Sequence, residues 1–165
     1  MKSFIIIITA AILFGIQMYI SYRRRKKTIE MLPAEAGPTK GAEGDFMTPE
    51  QVSIGTIDMN PKLKYFLVRN KCMKKRGIYP GDIIGVKMFD KDYTLSDTDE
   101  NSVLLIYLED KNFHGHKIRV RGNVTESGDA YATYYYTEDG NPSFSHKPHA
   151  FRNILGEVIE VNHTN

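Results

Sequence analysis

With 165 residues, 41% of them hydrophobic and 25% charged, the chain has apolar material for one modest core and no room for a second. Its formal net charge of +2, with the basic residues gathered mainly in one short run, argues against the broad cationic surface of a nucleic-acid binder. A single cysteine, Cys72, excludes an internal disulfide, so nothing demands an oxidising compartment.

Phe4 to Tyr22 carries no charge and only Gln17 as a strongly polar interruption. At a rise of about 1.5 Å per residue, such a run just crosses a hydrocarbon layer of about 30 Å. Tyr19 and Tyr22 sit at its lower end, and Arg23-Arg24-Arg25-Lys26-Lys27 follow at once. That order is the reverse of a cleavable signal peptide. Residues 1–27 are therefore expected to form a transmembrane anchor with a basic flank, spanning the cell membrane once through residues 4–22. The basic run places the following domain in the cytoplasm.

Residues 28–47 contain Pro33, Ala34, Ala36, Gly37, Pro38, Gly41 and Gly44 and few large apolar side chains, the composition of a flexible tether. Thr48-Pro49-Glu50-Gln51 reads as a short helical start, with Thr48 as N-cap and Pro49 in the first helical position. Beyond it the pattern is that of strands. Leu63–Val68, Ile83–Val86, Val103–Leu108, Lys117–Arg121, Ala130–Tyr136 and Ile154–Val161 are rich in β-branched or aromatic residues and are separated by Asp, Asn, Gly and Pro clusters. Residues 48–165 are expected to form a small, coiled, mostly antiparallel β domain.

The most informative stretch is Tyr65-Phe66-Leu67-Val68-Arg69-Asn70-Lys71-Cys72-Met73, followed by Gly77-Ile78-Tyr79-Pro80-Gly81-Asp82-Ile83-Ile84-Gly85-Val86. It resembles the opening of the peptidase domain shared by LexA-type repressors, UmuD-type mutagenesis proteins and signal peptidases. There, an apolar strand leads into Ser-Met, and a Gly-Asp turn then starts a second apolar strand. The resemblance runs from about Ile57 to Val161. Ser102–Leu108 and His116–Arg121 are similar to the two middle strands, and Asn141-Pro142 with Ile154–Val161 to the closing loop and last strand.

In that superfamily a serine hydroxyl attacks and a neutral lysine amine takes its proton. By this resemblance Cys72 replaces the serine, and a thiol ionises more readily than an alcohol. Lys117 or Arg119 takes the lysine position, and the sequence does not choose. With Lys117 there, a Cys-Lys pair is retained; with Arg119 there, the base is lost, because a guanidinium does not deprotonate. The alternative for Lys117, Arg119 and Arg121 is the solvated basic face of an edge strand. For Cys72 it is an inert, partly buried small side chain. The Gly-Asp that often precedes the serine is replaced by Asn70-Lys71, a further departure toward a fold kept without its catalysis.

The expected function is that of a single-pass membrane protein whose degenerate peptidase-like groove binds a protein or peptide partner, with Met73, Tyr79 and Asp82 beside Cys72 as binding residues. The rival is an active Cys-Lys endopeptidase that cuts itself in the linker at Ala36-Gly37, or cuts a membrane-proximal chain. The LexA and UmuD branch cuts itself at such a small-Gly bond. His114-Gly115-His116 and His146-Lys147-Pro148-His149 lack a carboxylate or cysteine at ligand spacing and read as loop residues, so no metal or other cofactor is expected. Tyr134-Tyr135-Tyr136 could stack bases, but Glu126, Asp129, Glu138 and Asp139 nearby argue against nucleic acid. A homo-oligomer is compatible with the sequence.

Overall fold

The computed structural model describes Ile12, Ile16 and residues 27–37, 48–55, 57–90, 98–110, 113–145 and 148–164. The described residues form ten strands: β1 Lys27–Glu35, β2 Glu50–Gly55, β3 Lys64–Arg69, β4 Ile83–Met88, β5 Val103–Asp110, β6 Phe113–Val124, β7 Ala130–Tyr136, β8 Pro142–Phe144, β9 His149–Ala150 and β10 Ile154–Asn162. All six strands expected from the period-two pattern are present. Most pairings are antiparallel, but β1 runs parallel to both β3 and β6. That double pairing closes a barrel in the order β1, β3, β4, β10, β5, β6 and back to β1. The β2 strand extends it on one side through β1, and β7, β8 and β9 extend it on the other through β6.

The central strands are covered on both faces, which is why their sequences are nearly continuous apolar runs. Phe66, Val68, Ile84, Val86, Val103, Leu105, Ile118 and Val120 fill the main core. Ile83 faces the other way and packs with Met31, Val52 and Ile54 of the β1–β2 hairpin. Leu104 and Ile106 likewise pack outside the barrel, against Tyr131 and Ile154. Each such aliphatic side chain contributes about 2 kcal/mol on burial.

Two expectations are corrected. Glu50–Gly55 is a strand and not a helical start. Val52 and Ile54 alternate with the exposed Gln51, Ser53 and Gly55, and that period-two pattern outweighs the capping residues before it. The stretch taken for a tether begins with β1, whose Met31, Ala34 and Glu35 are buried, as is Ala36 just beyond. Its small residues, which suggested flexibility, let a strand sit closely between two neighbours. Residues 38–47 lie outside the described residues.

The expected membrane span also lies outside them, except that Ile12 and Ile16 are helical and exposed. Among the described residues no helix is long and apolar enough to cross a membrane.

Candidate functional site

The second edge of β6 is shared. Its residues His116 and Lys117 pair with Ala34 and Glu35 of β1, whereas Val120, Arg121 and Val124 pair with β7. Between those pairings the edge forks, and the chain leaving β1 turns into the fork. Ala36 still donates its N–H to the Arg69 carbonyl of β3 at 3.1 Å. Gly37 follows, and its carbonyl oxygen accepts from Lys117 Nζ at 3.0 Å and from Arg119 Nη2 at 2.7 Å. Lys117 and Arg119 are 0% and 2% exposed. The solvated edge-strand reading of these residues is therefore corrected, because β6 is an interior strand and the period-two alternation aims both cations into the fork.

Cys72 reaches the same place from β3. Asn70 adopts a left-handed conformation with φ 74°, tolerated by its short polar side chain, and turns the chain out of the strand. A single 3₁₀ turn over Lys74–Arg76 follows, ending on Gly77 at φ 70°. The Cys72 carbonyl is held at the end of β7 by the Tyr136 N–H at 2.9 Å. Cys72 itself is 6% exposed.

Burial raises the Cys72 thiol pKa; the carboxylates of Glu35 and Glu138 push the same way, while Arg119 and Lys117 oppose them. The sulfur is thus held as a thiol at neutral pH. The Arg119 guanidinium is lowered to about 10, mainly by burial, with Tyr135, Glu35 and Cys72 resisting. It stays cationic at neutral pH. Its carbon lies 4.8 Å from the Tyr135 ring centroid, and Lys117 Nζ lies 4.1 Å from that of Phe113.

Glu35, 1% exposed, supplies the compensating carboxylate. One oxygen accepts the Gly37 N–H at 2.9 Å and also the Asn70 side-chain amide. Asn70 therefore both makes the turn and ties it to β1. A Cβ on Gly37 would lie 2.8 Å from that Glu35 oxygen and 2.9 Å from Asn70 Nδ2, so a larger residue here has to push both side-chain ends out of their hydrogen bonds.

His149 on β9 completes the surroundings. Burial first, then Arg119 and Lys117, lower its pKa from 6.5 to about 4. The imidazole is therefore neutral in the fold at neutral pH, and its Nε2 is buried without a hydrogen-bond partner. A folded pKa below the unfolded value gives stability that is complete above pH 6.5 and lost as pH falls toward 4. Allowing for solvent screening, the loss is about 2 kcal/mol. Urea unfolding of the full-length chain at pH 7 and pH 4.5 should show His149→Asn losing less stability on acidification than the wild type. Equal losses would mean the cations do not act on His149.

The structure thus gathers Ala36, Gly37, Cys72, Lys117 and Arg119 in one place, and both candidates for the lysine position point at the same oxygen. Met73 is fully buried in the main core. Tyr79, 45% exposed, stacks edge-on against His163 with centroids 5.8 Å apart. Asp82 closes the turn before β4, accepting the Tyr79 N–H at 2.7 Å and pairing with His163 at 3.0 Å. Glu35, Asn70, Tyr135 and His149 were missed as site residues. Among the described residues no group of three or more His, Cys, Asp or Glu side chains gathers to hold a metal.

No family model matches the chain, and no curated protein matches it.

Proposed function

We propose that the chain is a single-pass membrane protein, anchored through residues 4–22 with its barrel on the cytoplasmic side, and that the barrel is a LexA- and signal-peptidase-like domain that holds an extended peptide without cutting it. One observation carries the reading: the chain's own Leu32–Gly37 lies in the groove between β3 and β6, with the Gly37 carbonyl clamped by Lys117 and Arg119. That is how such a groove would hold any strand, by main-chain pairing with small residues packed beneath it. Cleavage is disfavoured by the same residues. Cys72 is kept protonated by burial and Glu35, and Arg119 cannot take its proton. A protein or peptide partner enters by replacing Leu32–Gly37, whose pairing with β6 is only Ala34↔His116 and Glu35↔Lys117.

A second reading is favoured by the meeting of Ala36-Gly37 with Cys72 and Lys117: a Cys-Lys peptidase that cuts its own linker, using the high effective concentration of a tethered bond. The two readings separate in one experiment. Full-length chain held for days at pH 7.5 and pH 10 should remain a single species by intact-mass spectrometry. A fragment beginning at Gly37, formed by the wild type and absent from Cys72→Ala, would establish the peptidase and end the binding reading.

A further inference from the structure

The guanidinium that clamps Gly37 uses only part of one edge. Nη1 donates to the Ile118 carbonyl at 2.9 Å and Nη2 to the Gly37 carbonyl at 2.7 Å. Nε, which points the same way as Nη2, is buried with no hydrogen-bond partner. The Nε–Nη2 edge is the side of arginine that grips a carboxylate through two parallel hydrogen bonds. Here one of the two donors is engaged and the other is idle.

The charges point the same way. Lys117 and Arg119 are both buried and both reach the Gly37 carbonyl, so an anion arriving there meets two cations at hydrogen-bonding distance, and burying a charge is tolerable only when it is balanced and hydrogen-bonded.

We infer that this pocket is a binding site for the free C-terminal carboxylate of an extended peptide ending in glycine, bound along β3 and β6 where Leu32–Gly37 now lies. The inference rests on the reading of the groove as a peptide-holding site and adds which end of the peptide it recognises. With the terminal glycine at the position of Gly37, one carboxylate oxygen takes the place of the Gly37 carbonyl between Lys117 Nζ and Arg119 Nη2. The other meets Arg119 Nε. A continuing peptide or a C-terminal amide has only the first oxygen and turns a nitrogen toward Nε, where it accepts nothing. The Asn70 amide, 2.9 Å from where a Cβ on the last residue would lie, favours glycine there, and the complete burial of Ala36 favours a small residue before it.

A strand that ends at Gly37 thus holds this site better than one that continues. A cut of the linker after that residue therefore strengthens the grip of the barrel on the segment that carries its anchor.

The test uses the full-length, detergent-solubilised chain with a protease recognition sequence inserted between Gly41 and Ala42 and then cut. A fluorescent synthetic peptide of the Thr28–Gly37 sequence is added, made once with a free acid terminus and once as the amide, and exchange into the barrel is read by anisotropy. The acid should bind about tenfold more tightly than the amide, and Arg119→Lys, which keeps the charge but lacks the fork, should shrink that ratio. The acid-to-amide ratio on the unsubstituted chain is decisive even where Arg119→Lys fails to fold. Equal binding of acid and amide overturns the carboxylate site and leaves the groove reading standing; binding of neither peptide overturns both.

Discussion

Glu35→Ala is expected to lower the unfolding free energy by about 3 to 5 kcal/mol, the usual cost of stripping a buried charge from its partner. The carboxylate is 1% exposed and faces Arg119 and Lys117 across the Gly37 peptide. Its removal strips two buried cations of the carboxylate buried with them. It also strands the Gly37 N–H and the Asn70 amide, both of which donate to it. Against a typical domain stability of about 5 to 15 kcal/mol, a loss of this size is a large fraction. Glu35→Gln retains an acceptor and removes only the charge, so its cost should fall between wild type and alanine. Urea unfolding of the full-length chain measures all three. A Glu35→Ala loss below about 1 kcal/mol would mean that the cations are already satisfied by solvent, and the clamp on Gly37 would lose its energetic basis.

The strands were readable because their residues alternate or run apolar over lengths that only strands use. Ala130–Tyr136 has the bounds expected of it, and the other five differ only at their ends. The errors fall where composition and packing disagree. Pro33, Ala34, Ala36 and Gly37 have the makeup of a linker, yet the barrel needs small residues there because β1 lies between two parallel neighbours. Composition reports what a segment can bury by itself. It does not report how closely two other strands approach it. Thr48-Pro49 carries sound helix-starting chemistry, but Val52 and Ile54 find a hydrophobic partner in Met31 and Ile83, and that long-range pairing decides the outcome.

The site was half visible for a related reason. Cys72, Lys117 and Arg119 stand out because the sequence resembles the peptidase superfamily at its nucleophile and lysine positions, and Ala36-Gly37 because of the small-Gly dipeptide. Glu35 looked like one more linker charge, and nothing local marks it as the buried counterion of residues about eighty positions later. Its only local signal is that it precedes a buried Ala-Gly. Asn70 carried a signal that could have been used, since asparagine is one of the few residues that accept a left-handed backbone at the exit of a strand. The choice between Lys117 and Arg119 was left open by the sequence because both lie on one face of β6, and the structure aims both at the same oxygen.

The barrel that positions this site depends on close contact at one seam. Gly156 in β10 pairs with Met88 of β4 on one side and with Leu105 of β5 on the other, next to an irregularity in the β5 pairing. A Cβ there would fall on the Lys87 carbonyl oxygen, 2.8 Å from Val86 Cγ1 and 3.0 Å from the Lys87 carbonyl carbon. The obstructing oxygen and carbon are backbone, so they yield only if β4 moves away from β10. Gly156→Ala is therefore expected to cost about 3 kcal/mol, at the upper end for overpacking, where a clash with flexible side chains would cost less. Gly128 offers the contrast: it lies in a turn with nothing within 4 Å of its Cβ position, and its φ of 75° strains alanine by only about 1 kcal/mol. A urea titration of both variants should rank Gly156→Ala well above Gly128→Ala. Gly156→Ala should also loosen Leu32–Gly37, because β4 is the neighbour that holds β3, and β3 carries one side of the groove. Hydrogen exchange at the Ala36 amide, bonded to the Arg69 carbonyl, reads that coupling directly. Unchanged protection there alongside a large stability loss would show that the groove and the β4–β10 seam open independently.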